Sequence, residues 1–237
     1  MTYQTPKSKE GTTVKRILEI GGVAAGVVLI AFGAAAMVLA YNGKNTITNE
    51  LKMQQITGTP DMTPKAITAE AKAAGLDMNT TPIPTCSVAG VQVTTGDQAR
   101  CFGEYMRIHT LESTGGFVYS QMGQYEALPT APKSELAPGG GTSNTMYAVT
   151  DPKTGAPVPN GPRNIWVTYT SLTGALNASY MAEQMANFGL VVGVALLLSG
   201  LGFVILSLGG ALENQWAFVK KAETEKAVDA SATPLNV

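Results

Sequence analysis

Two long apolar segments near opposite ends of the chain constrain its fold more than any other feature. Ile20–Tyr41 comprises 22 residues and Phe188–Leu212 comprises 25, and neither segment contains an acidic or basic side chain. An α-helix rises about 1.5 Å per residue, so about 20 apolar residues cross the hydrocarbon core of a bilayer. Because neither segment has a polar face, neither suits a soluble amphipathic helix. The sequence therefore predicts an integral membrane protein with two transmembrane helices in the lipid bilayer.

These two spans divide the chain into five parts. We predict an all-α fold, in which the two transmembrane helices extend into a small helical extracytoplasmic domain with one disulfide. The central part is long enough to enclose a small core of its own. The five parts are a cytoplasmic tail (1–16), transmembrane helix 1 (17–41), the extracytoplasmic domain (42–187), transmembrane helix 2 (188–212) and a second cytoplasmic tail (213–237).

The distribution of lysine and arginine predicts the orientation. Short segments that flank a span and carry basic residues stay in the cytoplasm, whereas long loops are translocated largely regardless of their charge. Both tails are therefore predicted to be cytoplasmic, as an even number of spans requires. The basic residues of the tails are Lys7, Lys9, Lys15, Arg16, Lys220, Lys221 and Lys226.

A cleaved signal peptide is an alternative interpretation of the first span. The small residues of 34–36 make a cleavage site conceivable. The apolar region of a signal peptide is about 7–15 residues long, however, and this segment is longer. The length favours an uncleaved signal-anchor.

The chain has two cysteines, Cys86 and Cys101, and both lie in the predicted exported domain. In an oxidising compartment such a pair usually forms a disulfide, which would here contribute about 3 kcal/mol by closing a loop of about 15 residues. Two buried free thiols are the alternative. A redox pair is disfavoured because the spacing is not that of a C-x-x-C motif.

Helical patterns continue beyond both spans. The first span is predicted to continue as a stalk to about Ile56, and a second helix is predicted over Pro64–Ala74 with Thr63 as its N-cap. A third helix is predicted over Gln98–Ser113 with Asp97 as its N-cap. The apolar spacing after Asn164 predicts one helix that enters the second span and ends near Val219.

Two other segments are less regular. Ile165–Thr170 would also suit a strand, which stays as an alternative to the helix. The stretch 127–162 is rich in proline and glycine, and it includes three consecutive glycines at 139–141. We predict that it forms a long surface loop that is partly mobile.

His109 and Glu112 are the one pair of residues with metal-ligand spacing. They lie three residues apart on one face of the predicted third helix. A catalytic zinc needs three protein ligands, and a non-haem iron triad needs two histidines and a carboxylate. The chain has a single histidine. The sequence therefore assigns no metal ligand, no catalytic residue and no cofactor, and it favours a packing role for His109.

A cluster of aromatic and apolar side chains has two interpretations. Its members would face one another if the third helix packs against the extension of the second span. They are typical of a hydrophobic core, and they would equally suit the lining of a small-ligand pocket. The cluster comprises Phe102, Tyr105, Met106, His109, Trp166 and Tyr169.

Small residues recur within both spans. Such residues allow close approach of helices in lipid. We predict that they pack the two spans against each other, and a homo-oligomer or another membrane partner is the alternative. The absence of ionisable side chains within the apolar segments argues against a transporter. The predicted packing residues are Gly22, Gly26, Gly189, Gly193 and Gly200.

Two blocks of the sequence resemble a family of uncharacterised two-span membrane proteins of actinobacteria. The first block runs from Arg107 to Gly116 (RIHTLESTGG) and is followed by Tyr119, and the second runs from Asn164 to about Gly210. Some of these proteins are labelled aromatic-ring-opening dioxygenases, but a single His109 cannot supply the expected iron site. The resemblance implies a location in a bacterial plasma membrane.

These features together predict a non-enzymatic integral membrane protein with an extracytoplasmic interaction domain. Its partner would be a second copy of the chain or another protein of the membrane or cell envelope. A sensor or small-ligand-binding membrane protein is the alternative, and a membrane-anchored enzyme is the least supported function. A net charge of −1 and the lack of a basic patch argue against nucleic acid as a partner.

Overall fold

The computed structural model describes residues 9–209, with side chains from residue 16 onward. Within this range the chain forms four α-helices and three short 3₁₀ turns, and it contains no β-strand. The helices are α1 (Lys9–Gln54), α2 (Pro64–Ala73), α3 (Gly96–Ser113) and α4 (Gly161–Leu208). The predicted all-helical class is thus confirmed for the described residues.

The first and last helices, α1 and α4, contain the apolar segments. α1 has 46 residues and α4 has 48, and both are long and apolar enough to cross a membrane. α1 ends at Gln54, close to the predicted end of the stalk. α4 is helical throughout Ile165–Thr170, so the strand alternative is wrong. The predicted helix end at Val219, half of the N-terminal tail and all of the C-terminal tail lie outside the described residues.

The predicted start of α2 is confirmed. The Thr63 side chain accepts a hydrogen bond from the backbone N–H of Ala66 at 3.2 Å, and Pro64 is the first helical residue. The helix ends within one residue of the predicted position. Gly75, with φ of +70°, reverses the chain directly after it.

The predicted N-cap of α3 is wrong by two residues. Thr95, rather than Asp97, caps the helix by accepting from the N–H of Gln98 at 3.3 Å. The Gln98 side chain in turn accepts from the N–H of Thr95 at 3.2 Å, which completes a capping box. Asp97 lies in the first turn and accepts from the Gln184 side chain at 3.4 Å.

The chain divides into two compact units, 1–41 with 187–237, and 42–186. In the described part of the first unit, small residues at seven-residue spacing bring the two apolar helices together. A Cβ at Gly200 would lie 2.6 Å from the carbonyl oxygen of Gly26, and a Cβ at Gly193 would lie 3.0 Å from that of Gly33. Only glycine allows so close an approach, and a seven-residue repeat is typical of left-handed helix pairing.

The other predicted packing residues of the spans have looser surroundings. A Cβ at Gly189 would lie 3.3 Å from the Cβ of Ala40, a tight contact but a less severe one than at Gly193 or Gly200. Gly22 is half-buried. Gly33, which the sequence analysis did not include, is buried in the seam between the two helices.

The second unit encloses a hydrophobic core between α2, α3 and the parts of α1 and α4 that belong to it. Leu51 of α1 and Leu176 of α4 are buried together with Ile67 of α2 and Ile108 of α3. The sulfur atoms of Cys86 and Cys101 lie at disulfide-bonding distance, 2.01 Å. This bond attaches the irregular segment before α3 to the first turns of that helix.

The N-terminus of α3 also joins the two long helices of this unit. The Glu183 carboxylate of α4 accepts from the N–H of Gly96 and lies 3.8 Å from the ammonium of Lys44 on α1. A Cβ at Gly96 would lie 2.7 Å from the Cα of Tyr180, so glycine is required here. The α3 start is therefore held by its own capping box and by a carboxylate from α4.

Hydrogen bonds connect the middle and the C-terminal part of the predicted loop 127–162 to the segment before it. Tyr125 and Thr142 exchange two backbone hydrogen bonds of 2.9 Å each. The buried Asn160 donates from its side chain to the carbonyl oxygen of Gly123 at 2.9 Å. Gly141 has φ of +75°, and a Cβ there would lie 2.4 Å from Nδ2 of Asn160. The predicted mobility of this segment stays a prediction.

Candidate metal centre

His109 lies at the edge of the core-facing side of α3, where three carboxylates surround its imidazole. Nε2 is 3.0 Å from Oδ2 of Asp61. Nδ1 is 3.8 Å from Oε2 of Glu112 and 4.0 Å from Oε2 of Glu70. The side chain of His109 is 24% exposed, so the group is open to solvent on one side.

Three different segments bring these side chains together. Asp61 belongs to the turn before α2, which the buried Met62 attaches to the core. Glu70 lies on α2, next to the buried Ala71, and α2 packs against α3. Glu112 follows His109 by one helical turn. The geometry thus depends on how the core positions α2 against α3.

The local environment keeps Asp61 ionised. Burial acts to raise the pKa of its carboxyl group, but a hydrogen bond from the Thr59 side chain, one from its own backbone and the nearby His109 together outweigh burial. The pKa of Asp61 is therefore below its usual value. A carboxylate in this state can accept a hydrogen bond or bind a cation at neutral pH.

The donor atoms of Asp61, Glu70 and His109 are close enough to share one ion. One donor atom from each residue lies within 4.8 Å of the other two. All three residues are half-buried. An imidazole nitrogen with carboxylate oxygens is a donor set found around zinc and other first-row transition metals.

Only part of this group can be recognised from the sequence. The spacing of His109 and Glu112 was visible in the sequence, but Asp61 and Glu70 precede His109 by 48 and 39 residues. No local spacing rule relates residues so far apart. Their proximity could be recognised only from the packing of α2 on α3.

The aromatic cluster from the sequence does not form one site. Phe102, Tyr105 and Trp166 are buried in the hydrophobic core. The hydroxyl of Tyr105 donates to the carbonyl oxygen of Cys86 at 2.6 Å, and Nε1 of Trp166 donates to that of Phe117 at 2.9 Å. Both polar atoms are thus satisfied within the core.

Met106 and Tyr169 lie at the margin of this core. Tyr169 packs edge-on against Trp166 with ring centroids 5.3 Å apart. Together with Ile165 and Leu172, the two residues line a partly open apolar groove of about 300 Å³. His109 does not line this groove, so the structure separates it from the aromatic residues with which the sequence grouped it.

No family model, curated protein or solved structure matches the chain. The resemblance to two-span actinobacterial membrane proteins stays a prediction.

Proposed function

We propose that the chain is a non-enzymatic, two-pass protein of the bacterial plasma membrane. Both termini lie in the cytoplasm, and residues 42–187 form an interaction domain outside it. The supporting observation is the seam of glycines between two apolar helices, whose other sides carry exposed large hydrophobic residues. Phe32, Leu39, Phe188 and Leu198 are each at least 65% exposed. Such side chains are stable in lipid and costly in water.

The interior of the domain supports a role in recognition rather than catalysis. Three of the aromatic side chains that could line a ligand pocket fill the core instead. Ser113, the hydroxyl close to His109 in sequence, donates to the backbone carbonyl oxygen of His109 at 2.7 Å. This geometry does not match the nucleophile–base hydrogen bond of covalent catalysis. The partner is a second copy of the chain or another protein of the cell envelope.

Sensing or small-ligand binding is the second candidate function. One observation favours it, namely the convergence of Asp61, Glu70 and His109 at the surface of the domain. These side chains suit a cation far better than an organic molecule.

Reporter fusions in a bacterial host test the orientation. Alkaline phosphatase, which needs an oxidising compartment for its own disulfides, should be active when inserted at the exposed turn around Thr154 and inactive when fused after Val237. Green fluorescent protein after Val237 should be fluorescent. An inactive phosphatase at Thr154 with an active one at the C-terminus would overturn the orientation.

Cross-linking tests the interaction role. A photoreactive residue placed at exposed positions of 42–187 should give a discrete cross-linked product in intact cells, either a dimer or one heterologous species. The same residue placed in the C-terminal tail is the matched control and should not give that product. Equal products from both positions, or none from the domain, would contradict an interaction domain.

A further inference from the structure

We propose that Asp61, Glu70 and His109 together bind one divalent transition-metal ion, for which zinc is the best-matched example. The site lies wholly within the 42–186 unit. The inference goes beyond the proposed interaction role and does not depend on the orientation of the chain in the membrane.

The separations of the donor atoms fit a site that closes around an ion. Ligand atoms of a tetrahedral zinc are about 3.3 Å apart, given bonds of about 2.0–2.1 Å. The three donor atoms here lie within 4.8 Å of one another, on side chains that are 24–37% exposed. A water molecule would take the fourth position, as in zinc sites with three protein ligands.

The charges of the cluster also favour a cation. Asp61, Glu70 and Glu112 carry three carboxylates around one imidazole. Among the described residues, His109 is the only basic group within ion-pair distance of them. Even a protonated imidazole would leave a negative excess of two charges, which a divalent ion would neutralise.

The arrangement around the imidazole resembles the outer shell of known metal sites. A histidine bound to a metal through one ring nitrogen usually faces a carboxylate or carbonyl oxygen with the other. Carboxylate oxygens lie near both ring nitrogens of His109, at 3.0 Å on the Nε2 side and 3.8 Å on the Nδ1 side. If Nε2 binds the ion together with Asp61, the Glu112 carboxylate stays beside Nδ1 and can orient the ring.

The donor types narrow the class of metal. Magnesium and calcium prefer all-oxygen sites, so an imidazole argues against them. Soft ions such as Cu(I) prefer sulfur ligands, and both cysteines of the chain are at disulfide distance from each other. The nitrogen and oxygen donors suit zinc, cobalt, nickel and manganese, with manganese the weakest of these by general affinity order.

Zinc titration of the purified full-length protein in detergent tests the site. A histidine tag would itself bind zinc and would add histidines to a chain that has only one. The protein must therefore be purified without such a tag. After treatment with a chelator, the protein should bind one zinc ion per chain in competition with a chromophoric chelator. Millimolar magnesium or calcium should not displace it.

Substitutions then assign the ligands. His109→Ala should weaken zinc binding at least about 100-fold, since even outer-shell substitutions cost about 10- to 100-fold. Asp61→Asn and Glu70→Gln should act in the same direction. Glu104→Gln, which lies on the same helix in an ion pair with Arg100, is the matched control and should leave zinc affinity unchanged.

The imidazole resonances of the unsubstituted protein give a readout that needs no variant. With a single histidine, zinc should shift one set of ring signals until one equivalent has been added. If the cluster is only an ion-paired histidine, zinc will not shift these signals or will bind equally well to His109→Ala. Either result overturns the proposal and leaves the interaction role intact.

Discussion

Tyr105 and His109 lie one helical turn apart on α3, yet their environments differ completely. Tyr105 is fully buried, and its hydroxyl donates to the carbonyl oxygen of Cys86. Burial, and then the nearby Glu104 carboxylate, raise the pKa of Tyr105. His109 is offset around the helix axis by about 40° from Tyr105, because four residues exceed one turn of 3.6. Because of this offset, the His109 side chain lies at the edge of the core, where it faces the carboxylates.

Removal of the Tyr105 hydroxyl should destabilise the protein without creating a large cavity. Tyr105→Phe leaves the carbonyl oxygen of Cys86 without its donor, and such a loss costs about 1–2 kcal/mol. Thermal unfolding of the full chain in detergent should show a lower midpoint. Tyr119→Phe is the control, because that residue is 42% exposed. Equal midpoints for both variants would contradict a structural role for the Tyr105 hydrogen bond.

The candidate site was only half visible at the residue scale. His109 and Glu112 share a helix face, which the spacing rule of a helix predicts. Asp61 and Glu70 join them because buried neighbours, Met62 and Ala71, attach their segments to the core. Core packing between separate segments decides such proximity, and no periodicity in the sequence encodes it.

At the scale of elements, the seam between the apolar helices requires glycine at particular positions. A Cβ at Gly193 would lie 2.6 Å from Cγ of Met37, and one at Gly200 would lie 2.7 Å from Cγ1 of Ile30. Around Gly202, a Cβ would meet nothing within 4 Å. Gly193 and Gly200 thus leave no room for a side chain, whereas Gly202, on the same helix, does.

Alanine substitution should separate these glycines. Gly193→Ala and Gly200→Ala should each destabilise the helix pair by about 1–3 kcal/mol, the usual cost of overpacking. Gly202→Ala should be neutral or slightly stabilising, since alanine is the better helix former. Circular-dichroism melting in detergent measures the difference. If Gly202→Ala were as destabilising as the other two, close approach in the seam would not be the cause.

The start of α3 shows a local signal that the prediction overlooked. Thr95 and Gln98 have the spacing of a capping box, and the structure forms both of its hydrogen bonds. Asp97 is also a good capping residue by type. Thr95 is the N-cap because the Gln98 side chain also accepts a hydrogen bond from the backbone N–H of Thr95, which stabilises the helix start at this residue.

For the 42–186 unit as a whole, the disulfide is the main covalent constraint. Replacement of both cysteines by alanine should lower stability by about 3 kcal/mol, the chain-entropy value for a closed loop of about 15 residues. The unfolding midpoint should fall by about 6–12 °C. Dithiothreitol should lower the midpoint of the unsubstituted protein similarly and leave the double variant unchanged. A midpoint of the unsubstituted protein that is insensitive to the reductant would contradict this role of the disulfide.

The amino-acid sequence was enough to predict the all-helical class, the two apolar helices, the continuation of helix beyond both spans and the start of α2. These features depend on local composition and on the period of 3.6 residues, which a single chain displays directly. Only the packing of the folded chain reveals that Phe102, Tyr105 and Trp166 fill a core, that Gly33 belongs to the seam and that Asp61 and Glu70 converge on His109. Those outcomes depend on which distant segments pack together, and packing depends on the shapes of all the side chains at once.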